Sequence, residues 1–156
     1  MDNLSFIEKD QKSIKEFIEK CIVQYSKNKS ESLLKPYSIT YEESKKSYYK
    51  VFVNGKLEEG HNIFNVVEKE RNQVIGEVWL YHDENKTFIY ELIIFEEFQG
   101  RGYGTKTLKK IESYFKNRGA KKIGLNVFGD NLVAINLYKK AGYRVGNMNM
   151  VKPLND

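Results

Sequence analysis

The stretch from Phe88 to Gly119 constrains the fold of this chain more than any other. Residues 88–95 (Phe-Ile-Tyr-Glu-Leu-Ile-Ile-Phe) are a near-continuous run of β-branched and aromatic side chains, the pattern of a strand buried on both faces. Glu96, Glu97, Phe98 and Gln99 then lead into Gly100-Arg101-Gly102-Tyr103-Gly104-Thr105. Leu108, Ile111 and Phe115 recur at helical spacing, and Asn117-Arg118-Gly119 supplies a basic last turn and a glycine stop. Strand, glycine turn and helix in this order make an anion-binding arrangement.

Glycines at 100, 102 and 104 tolerate positive φ and let a ligand approach the backbone, so that successive N–H groups can converge on one anion. The helix adds its unpaired amides and the positive end of its dipole. Arg101 is available for a further charge-assisted bond. Two common phosphate loops do not fit: the spacing is neither G-x-G-x-x-G nor that of a nucleoside-triphosphate loop, in which a Lys-Ser or Lys-Thr pair directly follows the last glycine.

Gln99-Gly100-Arg101-Gly102-Tyr103-Gly104 resembles the Q/R-x-x-G-x-G/A signature of the GNAT superfamily of acyl-CoA-dependent N-acyltransferases, whose loop grips the CoA pyrophosphate. A second block, Asn126-Val127-Phe128-Gly129-Asp130-Asn131 with Ala134, Leu137, Tyr138, Gly142 and Tyr143, is similar to the later strand, the Asn-x-x-Ala-x-x-Leu-Tyr helix and the Gly-Tyr turn of that family. Residues 148–154 resemble its closing strand. The blocks keep their order and spacing from about Gly60 to the C-terminus. The segment, with Gly60-His61-x-Ile63-Phe64, also looks like a subgroup of uncharacterised bacterial GNAT proteins. Many of these carry Asp where this chain has Glu91, and His where it has Asn126.

The chain of 156 residues is the size of one domain, with 40% hydrophobic and 30% charged residues, as in a soluble globular protein. One cysteine excludes an internal disulfide and a cysteine-based metal cluster. No apolar stretch is long enough to span a bilayer, and Met1-Asp2-Asn3-Leu4-Ser5 lacks the regions of a signal peptide, so the expectation is a cytoplasmic protein without a membrane partner. The net charge of +5 suits a polyanion such as CoA. It would also suit nucleic acid, but Lys45-Lys46, Lys109-Lys110, Lys121-Lys122 and Lys139-Lys140 are scattered pairs, the pattern of solvated helix faces.

In chain order, residues 4–7 are expected to form an edge strand. Ile14, Phe17, Ile18, Cys21, Ile22 and Tyr25 form the stripe of an amphipathic helix, with Asp10 as its N-cap and Cys21 as a buried thiol. Residues 26–30 are a polar break. Thr40-Tyr41-Glu42-Glu43 reads as a capping box for a helix ending near Asn54-Gly55. Tyr37, Tyr41, Tyr48, Tyr49 and Phe52 are either core or the wall of an acceptor pocket. Strands follow at residues 60–67, 73–81 and 88–95, with turns at 69–72 and 82–86. A further strand is expected at 121–128, reached through a helix and therefore parallel to its neighbour. Asp130 or Asn131 caps the helix after it, and a final strand or hairpin is expected from Tyr143 to Val151. These elements fit one α/β (α+β) domain with a mixed, mostly antiparallel sheet and helices on both faces. Within it, residues 1–59 are the helical acceptor side and residues 60–154 the sheet and acetyl-CoA core.

Simple alternation places Ile89, Glu91, Ile93 and Phe95 on one strand face. Glu91 is the one acid in that apolar run, so it is either ion-paired or raised in pKa. The resemblance implies acetyl-CoA as co-substrate, no metal, and direct attack by an amine in a ternary complex. It makes Glu91 the general base, with His61, Glu77 and His82 as alternatives, and Tyr138 the donor to the leaving thiolate. Cofactor contacts are implied at Leu92, Ile93, Ile94, Gln99, Gly100, Arg101, Gly102, Tyr103, Gly104, Thr105, Asn131, Ala134 and Tyr138. The oxyanion would lie near the amide of Ile93 or Ile94. A homodimer is compatible with this reading. Two alternatives stay open: a macromolecular acceptor (a protein N-terminus, a lysine or an aminoacyl-tRNA), and a non-catalytic CoA- or RNA-binding protein.

Overall fold

The computed structural model describes residues 2–155. In chain order the elements are β1 (Leu4–Glu8), α1 (Gln11–Leu33), α2 (Tyr37–Val51), β2 (Phe52–Val53), β3 (Lys56–Leu57), β4 (His61–Glu68), β5 (Gln73–His82), β6 (Thr87–Ile94), α3 (Tyr103–Lys116), β7 (Gly124–Leu125) and α4 (Leu132–Lys140). They form two compact units. A sheet unit takes the chain up to Asp10 together with Leu57–Asn126, and a helical unit takes Gln11–Lys56 together with the chain from Val127. No helix among the described residues is long and apolar enough to cross a membrane.

In the sheet unit the strand order is β1-β4-β5-β6-β7. The first three pairings are antiparallel, and β6 with β7 is parallel, as the intervening helix requires. Asn72, in a left-handed conformation at φ 52°, turns β4 into β5. In the next turn the Asp83 carboxylate accepts from the amides of Asn85 and Lys86, both at 2.7 Å. The α3 helix covers one face of the sheet with buried Leu108, Ile111 and Phe115, each contributing about 2 kcal/mol of apolar burial. Its Tyr114 ring meets Phe64 at 5.7 Å and its Phe115 ring meets His82 at 6.1 Å. Gly119, at φ 84°, stops the helix: Ala120 N–H donates to Phe115 O and Gly119 N–H to Lys116 O.

In the helical unit, the expected polar break at residues 26–30 is corrected, because α1 runs on to Leu33. The reason is a hydrogen-bonded helix pair. Ser26 is fully buried and donates to Ile22 O at 2.5 Å, while Thr40 of α2 donates to Ser26 O at 2.8 Å. Small hydroxyl side chains thus cross the contact with their polar atoms satisfied. The capping box is corrected by the same contacts: α2 begins at Tyr37, and Glu43 is held instead by Lys29 and Lys35 at 2.7 and 3.0 Å. The helix also ends earlier, at Val51, since Phe52-Val53 and Lys56-Leu57 form a small hairpin around Asn54-Gly55, both at positive φ. Of the aromatic residues beside α2, Phe52 is buried while Tyr37 and Tyr49 are exposed.

Two further expectations are corrected at the C-terminal end. The strand expected at 121–128 is paired only at Gly124 and Leu125. Residues 143–151 form no strand, and Met148, Met150 and Leu154 are exposed, so the apolar residues there lack a partner strand among the described residues.

Candidate functional site

The middle of β6 departs from a regular strand. Trp79 lies opposite Glu91 and Leu80 opposite Ile89, which makes Tyr90 an extra, bulged residue. The simple alternation is therefore corrected: one inserted residue reverses it, so Ile89 shares a face with Leu92 and Ile94, and Glu91 and Ile93 share the other with Phe88. Tyr90 lies on that second face, stacked on Trp79 at 5.1 Å and edge-on to Phe88 at 4.9 Å.

Just before the bulge, β6 loses its outer neighbour, since β7 pairs with Phe88 and Ile89 alone. From Glu91 to Ile94 the only strand partner among the described residues is β5. Phe95 N–H donates to Ile75 O at 2.9 Å, so two-residue periodicity turns the main chain of Ile93 towards β5 and that of Leu92 and Ile94 towards the open edge. Gln99 Nε2 donates to Ile94 O at 2.8 Å. The edge offers the amides and carbonyls that an extended ligand could pair with as an added strand.

Beyond Phe95 the chain makes one 3-10 turn, Glu96–Phe98, anchored by buried Phe98. Gly100 and Gly102 follow at φ 75° and 82°, and Gly102 caps α3 with no side-chain hydrogen bond. Among the described residues, no acceptor is bound by the backbone N–H groups of Gly100, Arg101, Gly102, Tyr103, Gly104 or Thr105. The first turn of α3 carries no acid. The Arg101 guanidinium carbon lies 5.9 Å from the Phe98 ring centre. Six free amides at the positive end of a 14-residue helix can hold a pyrophosphate-like anion.

Glu91 sits between the open edge and the bulge. The residue is only partly exposed, and the hydration that its carboxyl loses on burial in the sheet pushes its pKa up to about 7. No cation pairs with it among the described residues. The other three acid-base candidates are engaged. His61 Nδ1 accepts from Trp79 Nε1 at 3.0 Å, and burial, with the nearby Lys86 charge, lowers its pKa to about 4. Glu77 is paired with Lys9 at 3.5 Å. His82 Nδ1 is 3.0 Å from Thr87 Oγ1. A carboxyl titrating near 7 with no competing cation can accept a proton from an ammonium group.

The helical unit carries the rest of the residues singled out in the sequence. Asn131 caps α4, its side chain accepting from Ala134 N–H at 3.2 Å. At the other end, Gly142 at φ 97° closes the helix while Tyr143 N–H donates to Tyr138 O at 3.0 Å. The Tyr138 and Tyr143 rings meet edge to face at 5.5 Å. Ala134 and Tyr138 are partly exposed, and no residue of α4 is fully buried.

Sequence reasoning missed Gly76. A Cβ there would overlap the Ile93 carbonyl, so only glycine lets β5 run this close to the open-edge strand. The signal was present as a lone glycine inside an otherwise apolar strand. The bulge at Tyr90 had no comparable mark.

Residues 28–143 match the acetyltransferase (GNAT) family. An uncharacterized N-acetyltransferase of Bacillus subtilis (strain 168), YdgE, is 30% identical over 118 residues, which cover 73% of this chain and 74% of that protein. The crystal structure of YycN from Bacillus subtilis, described as an acetyltransferase, shares the fold with a TM-score of 0.88 at 20% identity, over 98% of this chain and 99% of that one. A GNAT family acetyltransferase from Elizabethkingia anophelis, crystallised with acetyl-CoA bound, matches with a TM-score of 0.52 and 28% identity over 56% of this chain and 57% of its own. The family match over most of the chain, and the relative at 30% identity, show that this protein belongs to the GNAT family of acetyltransferases.

Proposed function

We propose that this protein moves an acetyl group from acetyl-CoA to a primary amine by direct attack in a ternary complex. The observation that carries the reading is Glu91: a carboxyl with no cationic partner among the described residues, raised to a pKa of about 7, on a strand that opens immediately beyond it into an unpaired edge and a glycine turn. The Elizabethkingia relative, with acetyl-CoA bound, supports the choice of donor. In this reading the amides of Gly100 to Thr105 hold the pyrophosphate, and Arg101 adds a charge. The pantetheine amides pair with the main chain of Leu92 and Ile94.

Glu91 then takes a proton from the ammonium form of the acceptor, and the freed nitrogen attacks the thioester carbonyl. The C–N bond forms, the oxyanion is met by the main-chain amide of Ile94, which faces the open edge whereas that of Ile93 faces β5, and the C–S bond breaks. The nitrogen sheds its second proton as the amide forms and the departing thiolate gains one, with Tyr138 supplying the hydrogen bond or proton to sulfur and being reprotonated by the one the nitrogen releases. A thiol of pKa near 8.5 needs only modest help, so this last role affects rate by degree. No acyl-enzyme is needed, in keeping with a buried Cys21.

Calorimetric titration with acetyl-CoA tests the donor, with dephospho-CoA, NAD and a short RNA as controls. A Kd of micromolar order, about 8 kcal/mol, for acetyl-CoA and weak binding of NAD and RNA is expected. Thiol release with a panel of amines tests the transfer. Salt-sensitive RNA binding without acetyl-CoA binding would overturn the proposal.

A further inference from the structure

On the sheet face that carries Glu91, three rings converge on one side chain. The Lys86 ammonium lies 4.6 Å from the centre of Phe88, 5.7 Å from Tyr90 and 5.9 Å from Tyr81. No carboxylate pairs with it among the described residues. A lysine stem lying along a single ring is ordinary surface packing, whereas an ammonium shared by three rings occupies a site shaped for a cation.

The rings are fixed from behind. Tyr90 stacks on Trp79 at 5.1 Å, His61 lies 4.5 Å from Tyr81 and 5.3 Å from Tyr90, and Tyr81 donates its hydroxyl hydrogen to Asp83. His61 accepts a hydrogen bond from Trp79 and stays neutral at pH 7, so nothing behind the rings repels a second positive charge. Lys86 itself is exposed and borders an open groove of about 570 Å³ that Asp83 and Glu84 line together with Arg118, Lys121 and Lys122, so the side chain has room to leave the rings on the side of its two neighbouring carboxylates.

We propose that Tyr81, Phe88 and Tyr90 form a cation subsite for the acceptor, occupied by Lys86 when no acceptor is bound, and that the acceptor is an alkyl amine bearing a second ammonium group. The proposal rests on the acetyl-transfer reading and names its substrate class. Two ammonium groups are needed because the subsite is not where the proton is removed. Phe88 and Glu91 lie on the same face, and because Tyr90 is bulged out their β5 partners Tyr81 and Trp79 are two residues apart, about 7 Å of strand, so a cation held at Phe88 leaves the reacting nitrogen to be presented by the rest of the molecule. A diamine bridges that span, with one end against the rings and the other at Glu91.

The test compares 1,5-diaminopentane and 1,8-diaminooctane with pentylamine and octylamine in a thiol-release assay, with acetyl-CoA binding as the control for intact protein. At least one diamine should exceed its monoamine in kcat/KM by about tenfold, between the values for an exposed and for a desolvated cation over rings. Lys86→Ala, which removes the resident competitor, should raise kcat/KM for the diamine by about threefold. Tyr90→Leu should abolish the preference for diamines. Equal rates for diamine and monoamine, or a Lys86→Ala protein that loses diamine activity, would overturn the subsite and leave acetyl transfer standing. If acetyl-CoA binds but neither class of amine is acetylated, titration with the diamines is followed by fluorescence of Trp79, the one tryptophan in the chain, which stacks on Tyr90. A saturable change that is lost in Tyr90→Leu supports the subsite, and no change overturns it. Failure to bind acetyl-CoA would count against the donor reading, which this fluorescence titration does not use.

Discussion

Trp79 Nε1 donates to His61 Nδ1 at 3.0 Å, and this bond fixes the imidazole as a neutral ring with its remaining proton on Nε2. Burial, seconded by the Lys86 charge, holds the folded pKa at about 4, below the ordinary value of 6.5. Between those values the unfolded chain binds more protons than the folded one, so His61 contributes stability that is complete above pH 6.5 and lost as pH falls through 4. The contribution is about 2 kcal/mol, reduced from the full linkage value because water still reaches part of the ring. Urea unfolding at pH 7 and pH 4.5 should show a smaller drop in His61→Asn than in the natural protein. Equal drops would contradict the assignment.

Glu91 has the opposite sign. Its folded pKa of about 7 lies above the ordinary 4.5, so the folded state is favoured at low pH and loses stability as pH rises through 7. Glu91→Gln removes that cost and should stabilise the protein by about 2 kcal/mol at pH 8.5, with no change at pH 4. Thermal unfolding of both proteins at the two pH values checks this. A destabilised variant at pH 8.5 would mean that the carboxylate is paired.

Gly102 sits at φ 82° with open space where a Cβ would be built. Gly102→Ala therefore meets backbone strain of about 1–2 kcal/mol and no clash, and the protein should remain folded. Relaxation of the turn should misdirect the amides that precede α3 and weaken acetyl-CoA binding about tenfold by calorimetry. Unchanged affinity would remove the turn from the binding site.

Gly76 differs from Gly102 in having the Ile93 carbonyl where its Cβ would fall. Gly76→Ala forces β5 and β6 apart, and a loss of about 1–3 kcal/mol by urea unfolding is expected, as for overpacking in a core. Neutral behaviour would show that the two strands are less closely apposed than described.

Tyr138→Phe keeps the ring contact with Tyr143 and deletes the phenol. Turnover should fall about tenfold while the Kd for acetyl-CoA is kept, the expectation for one hydrogen bond made chiefly to the leaving group. Steady-state kinetics with calorimetry separates the two quantities. Undiminished turnover would remove Tyr138 from the chemistry.

Strands β4, β5 and β6, the glycine turn and α3 were legible because local pattern and tertiary placement agree there: period-two and continuous apolar runs, positive-φ glycines and a glycine stop at Gly119. Where local pattern was read wrongly, a long-range contact had decided the outcome. Ser26 looks like a break, yet it is the buried partner of Thr40, and Glu43 looks like half of a capping box until Lys29 and Lys35 claim it. Glu91 was legible as an acid in an apolar run. Which of its two fates held, ion pair or raised pKa, depended on the absence of a cation nearby among the described residues. The Tyr90 bulge left no mark, because an inserted aromatic residue keeps the run apolar while reversing every side chain on one side of it.

The pH dependence of thiol release, measured for the natural protein and for Glu91→Gln with saturating acetyl-CoA, tests the central claim most directly. The natural protein should lose activity below an apparent pKa near 7, and Glu91→Gln should be slower by about a hundredfold or more and lack that limb. A Glu91→Gln protein with the rate and pH profile of the natural one would contradict it.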